Sequence, residues 1–212
     1  MISEKNNNSE FSFSRENKTL AKNELKKYPK GREVSAIISL LWIAQKQNGG
    51  WLTNDAIEHV AFFLEIPKIR AMEIATFYTM FNLSPVGKYH FQMCGTTPCM
   101  LSGSDELKEV LSKKIGLQST VTDDKLLSWI EVECLGACCN APVIQINDDY
   151  YEDLDSSDLE EILDNIKKNK SIKSGSYKKR IASEPLDQNL KMLNEEQISI
   201  LVKNRKKPGI GN

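Results

Sequence analysis

No stretch of this chain is apolar for long enough to cross a bilayer. The longest uncharged apolar-rich run, Val34 to Gln45, falls short of the ~20 residues a spanning helix needs, so the sequence predicts a soluble or peripherally attached protein. The first residues, MISEKNNNSEFSFSRENK, mix acids with bases and hold no apolar core, which argues against export. No Gly-rich dinucleotide loop follows a strand pattern, and there is neither a phosphate loop nor a catalytic triad. Histidine is scarce: His59 and His90 are the only two. One falls on a helical face and the other inside a strand pattern, and both read as ordinary surface or core residues. The absence of a C-x-x-C pair argues against a redox dithiol.

What is present is a chain of 212 residues, 40% hydrophobic, large enough to bury a core without cross-links, as one compact domain or a small domain with a helical annex. The cysteines are five, an odd number, which does not suit a secreted disulfide scaffold. A reducing compartment is the better reading, with some of these thiols acting as ligands or nucleophiles. The net charge of −1 hides an uneven distribution: Lys170 to Asn212 carries ten basic against four acidic residues, leaving the remainder acidic. Such a basic tail either solubilises the chain or docks on an acidic partner.

The apolar periodicity organises the chain. Residues 1–17 are polar, Asn/Ser-rich and expected to be disordered. A short helix is predicted on Leu20, Leu25 and Tyr28, stopped by Pro29 and Gly31; a second on Val34, Ile37, Ile38, Leu41 and Trp42, stopped by Gly49-Gly50. Thr53 is placed to cap a third, and Pro67 to open a fourth running through Ile74 to Tyr78. Residues 18–84 thus read as a small helical bundle with Trp42, Phe62, Phe77 and Phe81 in its core. Trp51 and Tyr78 are further candidates for buried contacts.

Residues 85–170 change character: a strand from Lys88 to Met93, a helix from Ser104 to Lys114, a strand from Ser128 to Glu133, a hairpin about Asn147-Asp148-Asp149, and a helix from Asp158 to Lys168 capped by Ser156 or Ser157. This order predicts an α/β layer with helices against one mixed sheet. A basic extension, 171–212, follows.

The chemistry is concentrated in Cys94-Gly-Thr-Thr-Pro-Cys99 and Cys134-Leu-Gly-Ala-Cys138-Cys139. Two close pairs beyond two strand ends are a natural way to build a four-thiolate site, provided a bound cation or cluster offsets the charge. Small Gly95, Gly136 and Ala137 let backbone amides approach sulfur, and Pro98 and Pro142 stiffen the two loops. Spacings of four and three tilt the reading from the C-x2-C knuckles of zinc towards iron-sulfur, but a structural zinc-thiolate module stays open. Cys139, adjacent to Cys138, is expected to be a buried small hydrophobe outside the ligand set.

Three motifs in order, Glu73-Ile-Ala-Thr-Phe-Tyr-Thr-Met-Phe81, Cys94-Gly-Thr-Thr-Pro-Cys-Met-Leu101 and Glu133-Cys-Leu-Gly-Ala-Cys-Cys-Asn-Ala-Pro142, resemble the thioredoxin-like [2Fe-2S] subunit of NADH:quinone oxidoreductase, respiratory complex I. It is called the 24 kDa subunit in mitochondria and the E subunit in bacteria, and the likeness covers about residues 30–166. It implies an α/β fold, a thioredoxin-like [2Fe-2S] domain preceded by a small helical bundle. It implies one [2Fe-2S] cluster on Cys94, Cys99, Cys134 and Cys138, and an electron-carrier role with no independent catalytic site. The implied partners are the FMN-binding subunit that oxidises NADH and the adjacent large iron-sulfur subunit. Neither nucleic acid nor a membrane span is implied.

The implied location is cytoplasmic and peripheral to the inner membrane, on the matrix side if eukaryotic. The equivalent diaphorase subunits of NAD-linked hydrogenases and formate dehydrogenases share these motifs and are the alternative. Arg180, Glu184 and Pro185 look similar to a family segment, whereas Leu186 to Asn212 departs from the short Gly/Pro-rich ending expected.

Overall fold

The computed structural model describes residues 11–181; Glu184, Pro185, the rest of the basic extension and the first ten residues lie outside the described residues. The N-terminal half is helical. Helix α1 (Arg15–Leu25) starts at Ser14, whose hydroxyl accepts the Asn17 amide at 3.1 Å. A 3-10 turn, Glu33–Ala36, leads into α2 (Ile37–Gln47). Helix α3 (Asn54–Phe63) is capped by Thr53 as expected, its hydroxyl accepting the Ala56 amide at 3.0 Å. Helix α4 (Lys68–Phe77) follows Pro67.

These helices close over one core that includes Leu40, Leu41, Leu52, Ile57, Val60 and Phe81. Phe11 and Phe13 also belong to it, edge-on to His59. Residues 11–17 are therefore held in place, contrary to the disorder expected through Asn17: two phenylalanines in a polar segment supply enough apolar area to dock it.

Two of the expected core aromatics are not in the core. Phe62 is 65% exposed and Phe77 76% exposed, because α3 buries Ala56, Ile57, Val60 and Ala61, and α4 buries Ala71 and Ala75. A helix that packs through alanines brings its neighbour close and leaves its bulky residues outside. Tyr78 likewise stays exposed and meets Phe77 edge-on at 5.1 Å.

The second half is a five-stranded sheet built from β1 (Tyr89–Cys94), β2 (Leu127–Val132), β3 (Val143–Ile146), β4 (Asp149–Glu152) and β5 (Gly175–Ser176), ordered β2-β1-β3-β4-β5. β1 runs parallel to β2 and antiparallel to β3, and β4 runs antiparallel to β3 and parallel to β5. Between β1 and β2 lie a short helix α5 (Thr97–Leu101) and α6 (Ser104–Lys114); α7 (Ser156–Lys167) follows β4. Helix α6 has Asp105 and Glu106 in its first turn and Lys113 and Lys114 in its last, as the helix dipole favours. Helix α7 buries Leu159, Ile162, Leu163 and Ile166, a single apolar stripe at 3.6-residue period. Its cap is Asp155, not Ser156 or Ser157: the Asp155 carboxylate accepts the Asp158 amide, and Asp158 returns the bond in a capping box.

Strand alternation divides the sheet. Phe91, Met93, Leu127, Trp129, Ile144, Ile146 and Tyr151 pack with α6 and α7 in one core, while His90 and Gln92 share a cavity with Trp42, Gln45 and Met80 of the helical half. Lys46 on α2 pairs with Asp148 of the β3–β4 turn at 2.9 Å, across the same junction. Residues 175–176, expected in the basic extension, complete the sheet as β5. Among the described residues no helix is long and apolar enough to cross a membrane.

Candidate functional site

The parallel strands β1 and β2 end side by side, with Cys94 opposite Val132, so the loops that leave them start from one edge of the sheet. Cys94 is the last residue of β1 and is buried. Cys99 is buried in α5, a helical turn absent from the sequence reading, with Pro98 near its start where a missing amide costs nothing. The second loop carries Cys134, Cys138 and Cys139, all exposed, and a 3-10 turn, Cys138–Asn140, closes it.

The thiols stand as two pairs. Cys134 Sγ and Cys138 Sγ are 3.4 Å apart. Cys94 and Cys99 also share a hydrogen bond, and the charge on Cys94 acts on both Cys134 and Cys138. In each pair one thiol loses its proton more easily than usual and the other less easily. Burial pushes Cys94 up, but hydrogen bonds from the Thr96 hydroxyl at 3.3 Å, the amides of Thr96 and Leu135, and Cys99 outweigh it and bring it below the ordinary thiol range. Burial, followed by the bond Cys99 gives to Cys94, pushes Cys99 up to about 12. The Gly136 amide, donating to Cys134 Sγ at 3.4 Å, lowers Cys134, helped by Cys138 and Thr96; Cys138, donating to Cys134, is raised. Ligation needs the thiolate form, so a thiophilic cation would displace the thiol protons when it binds.

This donor set fits an iron-sulfur group. Soft sulfur ligands suit zinc, copper(I) and iron-sulfur centres. Among the described residues no three Cys, His, Asp or Glu side chains converge closely enough to hold a single ion. Cys94, Cys99, Cys134 and Cys138 would hold such a group, and amides aimed at sulfur would stabilise the negative charge it gains on reduction.

The small residues act in different ways. Gly136 adopts φ +80°, a conformation that L residues with a Cβ disfavour, and this turns its amide to Cys134. At Gly95 the limit is space: a Cβ there would lie 1.8 Å from Glu131 Oε1, and Glu131 is held by Lys108 Nζ at 2.8 Å.

Cys139 is exposed, against the expected buried position, because the residue that turns inward from the 3-10 turn is Asn140, 1% exposed. His90 is buried, its Nδ1 2.8 Å from Ser128 Oγ, away from the cysteine loops. Three residues with no part in the sequence reading of the site support these loops. Thr96 contacts thiols of both pairs; its place inside the first cysteine motif was the one available signal. Tyr150 Oη donates to the Leu135 carbonyl at 2.7 Å, and Asp153 donates its amide to the Asn140 carbonyl at 2.9 Å. These are long-range contacts with no sequence signature.

Residues 21–167 match the family model described as thioredoxin-like [2Fe-2S] ferredoxin. The E subunit of NADH-quinone oxidoreductase from Rickettsia bellii (strain RML369-C) is 56% identical over 158 residues, 74% of this chain and 95% of that one. Its namesake from Rickettsia typhi (strain ATCC VR-144 / Wilmington) is 53% identical over 161 residues, 76% and 95% of the two chains. A crystal structure of an NAD+-reducing [NiFe]-hydrogenase in the air-oxidized state superposes with a TM-score of 0.54 at 21% identity, over 61% of this chain and 23% of the hydrogenase chain. That likeness speaks for the fold alone. With the fold, the paired thiols and these matches together, the chain belongs to the thioredoxin-like [2Fe-2S] ferredoxin family and, within it, to the E subunits of NADH-quinone oxidoreductase.

Proposed function

We propose that this chain is the electron-carrier subunit of NADH:quinone oxidoreductase that holds one [2Fe-2S] cluster on Cys94, Cys99, Cys134 and Cys138, beside an FMN-containing subunit that oxidises NADH. The observation that carries this reading is the meeting of two thiol pairs at one end of the sheet, with a glycine amide directed at one sulfur. When bound, the cluster takes up and returns one electron at a time. The chain's own work is to hold it. Cys94 and Cys99 are kept from water by Val143, Leu135 and Tyr150, which pack around them. Gly136, Thr96 and Leu135 direct hydrogen bonds at sulfur, and a fixed donor set limits rearrangement between oxidation states.

The surface supports the partner side of this reading. Phe77, Tyr78 and Met80 are exposed, and the intervening Thr79 lines a cavity of about 440 Å³ together with Gly95, Thr96 and Glu133 of the cysteine loops. Met100 and Leu101, following Cys99, are exposed too. Apolar side chains gathered beside a redox site favour a protein neighbour over water, in keeping with the FMN-binding subunit, with the large iron-sulfur subunit as the next partner. The assembly would be cytoplasmic and peripheral to the inner membrane.

Iron, zinc and acid-labile sulfide per chain after anaerobic purification test the cofactor. About two irons and two sulfides are expected for such a cluster; about one zinc without sulfide, in protein from its native host, would overturn the reading in favour of a structural thiolate module. Co-purification with an FMN-containing chain tests the partner.

A further inference from the structure

The far end of the described chain reaches back to the second cysteine loop. β5 lies beside β4, pairing Gly175 with Tyr151 and Ser176 with Glu152. The next residue after β4, Asp153, has a fully buried side chain and a left-handed backbone at φ +58°, which aspartate tolerates better than most residues. Its carboxylate accepts a hydrogen bond from Ser176 Oγ at 2.5 Å and from Arg180 Nε at 3.0 and 3.2 Å to its two oxygens; Arg180 Nη2 also donates to it. The Arg180 amide donates to Ser176 Oγ at 2.9 Å, so strap and carboxylate form a closed set of bonds.

That set is joined to the cysteine loop. The Asp153 amide donates to the Asn140 carbonyl at 2.9 Å. Asn140 in turn donates its amide to the Ala137 carbonyl at 3.0 Å and its Nδ2 to the Glu152 carboxylate at 2.7 Å. Asn140 ends the 3-10 turn that begins at Cys138. A buried carboxylate keeps its place only while its partners are present. Without Arg180, Asp153 would turn out to water or take up a proton, and in either case the grip of its amide on Asn140 would loosen.

We propose that Arg180 is a positioning residue for the iron-sulfur site: by fixing Asp153 it fixes Asn140 and the turn Cys138–Asn140, and so the direction in which Cys138 presents its sulfur. This deepens the function proposed above and rests on Cys138 being a ligand. It assigns a role to the start of the C-terminal extension, which closes the cysteine loop from behind as a strap.

The test compares full-length wild type, Arg180→Gln, Arg180→Lys and Ser176→Ala, purified anaerobically with their iron. Lys46→Gln, which breaks the Lys46–Asp148 pair at the opposite end of the sheet, is the control for general destabilisation. Three quantities are read: iron release to a chelator, the EPR spectrum of the reduced protein and the melting temperature. Arg180→Gln is expected to release iron about ten-fold faster, as loss of an outer partner of a metal ligand does, with a shifted EPR spectrum. Arg180→Lys and Ser176→Ala should change in the same direction by less, and Lys46→Gln should leave release and spectrum at wild-type values.

A folded Arg180→Gln protein with wild-type release and spectrum overturns the inference, even with a lowered melting temperature. Should Arg180→Gln not fold, Ser176→Ala decides in the same way. Wild-type protein that carries no iron and sulfide would sink the ligand assignment itself, and so is told apart from failure of the strap.

Discussion

The two cysteine loops solve one problem by different means. The first starts from β1, a strand paired on both sides, and runs directly into α5, so Cys94 and Cys99 are both buried by regular structure. The second leaves β2, which lies at the sheet edge, and crosses the surface with Cys134 and Cys138 exposed. Its shape comes from separate attachments: the turn at Gly136, the Tyr150 hydroxyl on Leu135, and Asp153 on Asn140. The first pair is placed by folding, whereas the second is placed by a few long-range bonds. Damage to the first loop should therefore appear in the stability of the whole protein, and damage to the second in the site alone.

Alanine at the four cysteines breaks the contrast most directly. Iron should fall to background for Cys94→Ala, Cys99→Ala, Cys134→Ala and Cys138→Ala alike, while Cys139→Ala keeps the wild-type content. The apoproteins should differ. The buried pair loses about 1 kcal/mol per sulfur removed from packing, and the exposed pair changes by less than about 0.5 kcal/mol. Urea unfolding of the metal-free variants checks this, and equal losses at all four positions would erase the distinction.

The strand that delivers Cys94 has its own weak point. His90 is buried between the sheet and the helical half; its Nε2 has no hydrogen-bond partner among the described residues, and Lys46, Lys88 and Asp148 line the cavity beside it. Burial lowers its pKa from 6.5 to about 4. A histidine that is harder to protonate when folded contributes no penalty above its unfolded value, and the unfolded chain gains the proton first as pH falls. Stability should therefore drop from about pH 6.5 towards pH 4, by up to about 3 kcal/mol. Denaturant midpoints at several pH values, in wild type and His90→Gln, measure it; a variant with the same slope would mean that carboxylates dominate this range.

The glycines sharpen the comparison on a smaller scale. Gly136→Ala forces a Cβ into a left-handed conformation at about 1–2 kcal/mol and should displace the amide that meets Cys134, changing the EPR spectrum of the loaded protein. Gly95→Ala meets the movable end of Glu131. It should dislodge that side chain from Lys108 at a cost nearer 1 kcal/mol, and leave the spectrum closer to wild type.

How much of this could be read from the chain depended on range. Helix α6 came out on the residues expected, since its apolar stripe and terminal charges are local. The four cysteines stood out because their spacing is local within each pair. Phe62 and Phe77 misled, because periodicity reports which side of a helix is apolar but not whether a neighbour packs there through alanines. Asp155 outcompeted Ser156 and Ser157 as a cap through its reciprocal bond with Asp158. Tyr150 had no local signature, and Arg180 stood out only by its likeness to a family segment, which did not tell its contact: each acts on backbone or a carboxylate that only the sheet brings near, Leu135 in one case and Asp153 in the other.

The smallest predicted effect isolates one of those distant attachments. Tyr150→Phe keeps the ring among Val143, Leu135 and the buried thiols and removes only the hydroxyl that donates to the Leu135 carbonyl at 2.7 Å. One hydrogen bond of this kind contributes about 1 kcal/mol, and Leu135 lies in the loop rather than in the sheet. The loss should be local, with a wild-type fold and iron content. Hydrogen exchange should speed up at the amides of residues 135–138, while those of β1 and α5 stay protected. Acceleration in both loops would mean that they move as one unit; acceleration confined to the second would mean that its geometry depends on side chains anchored elsewhere in the fold.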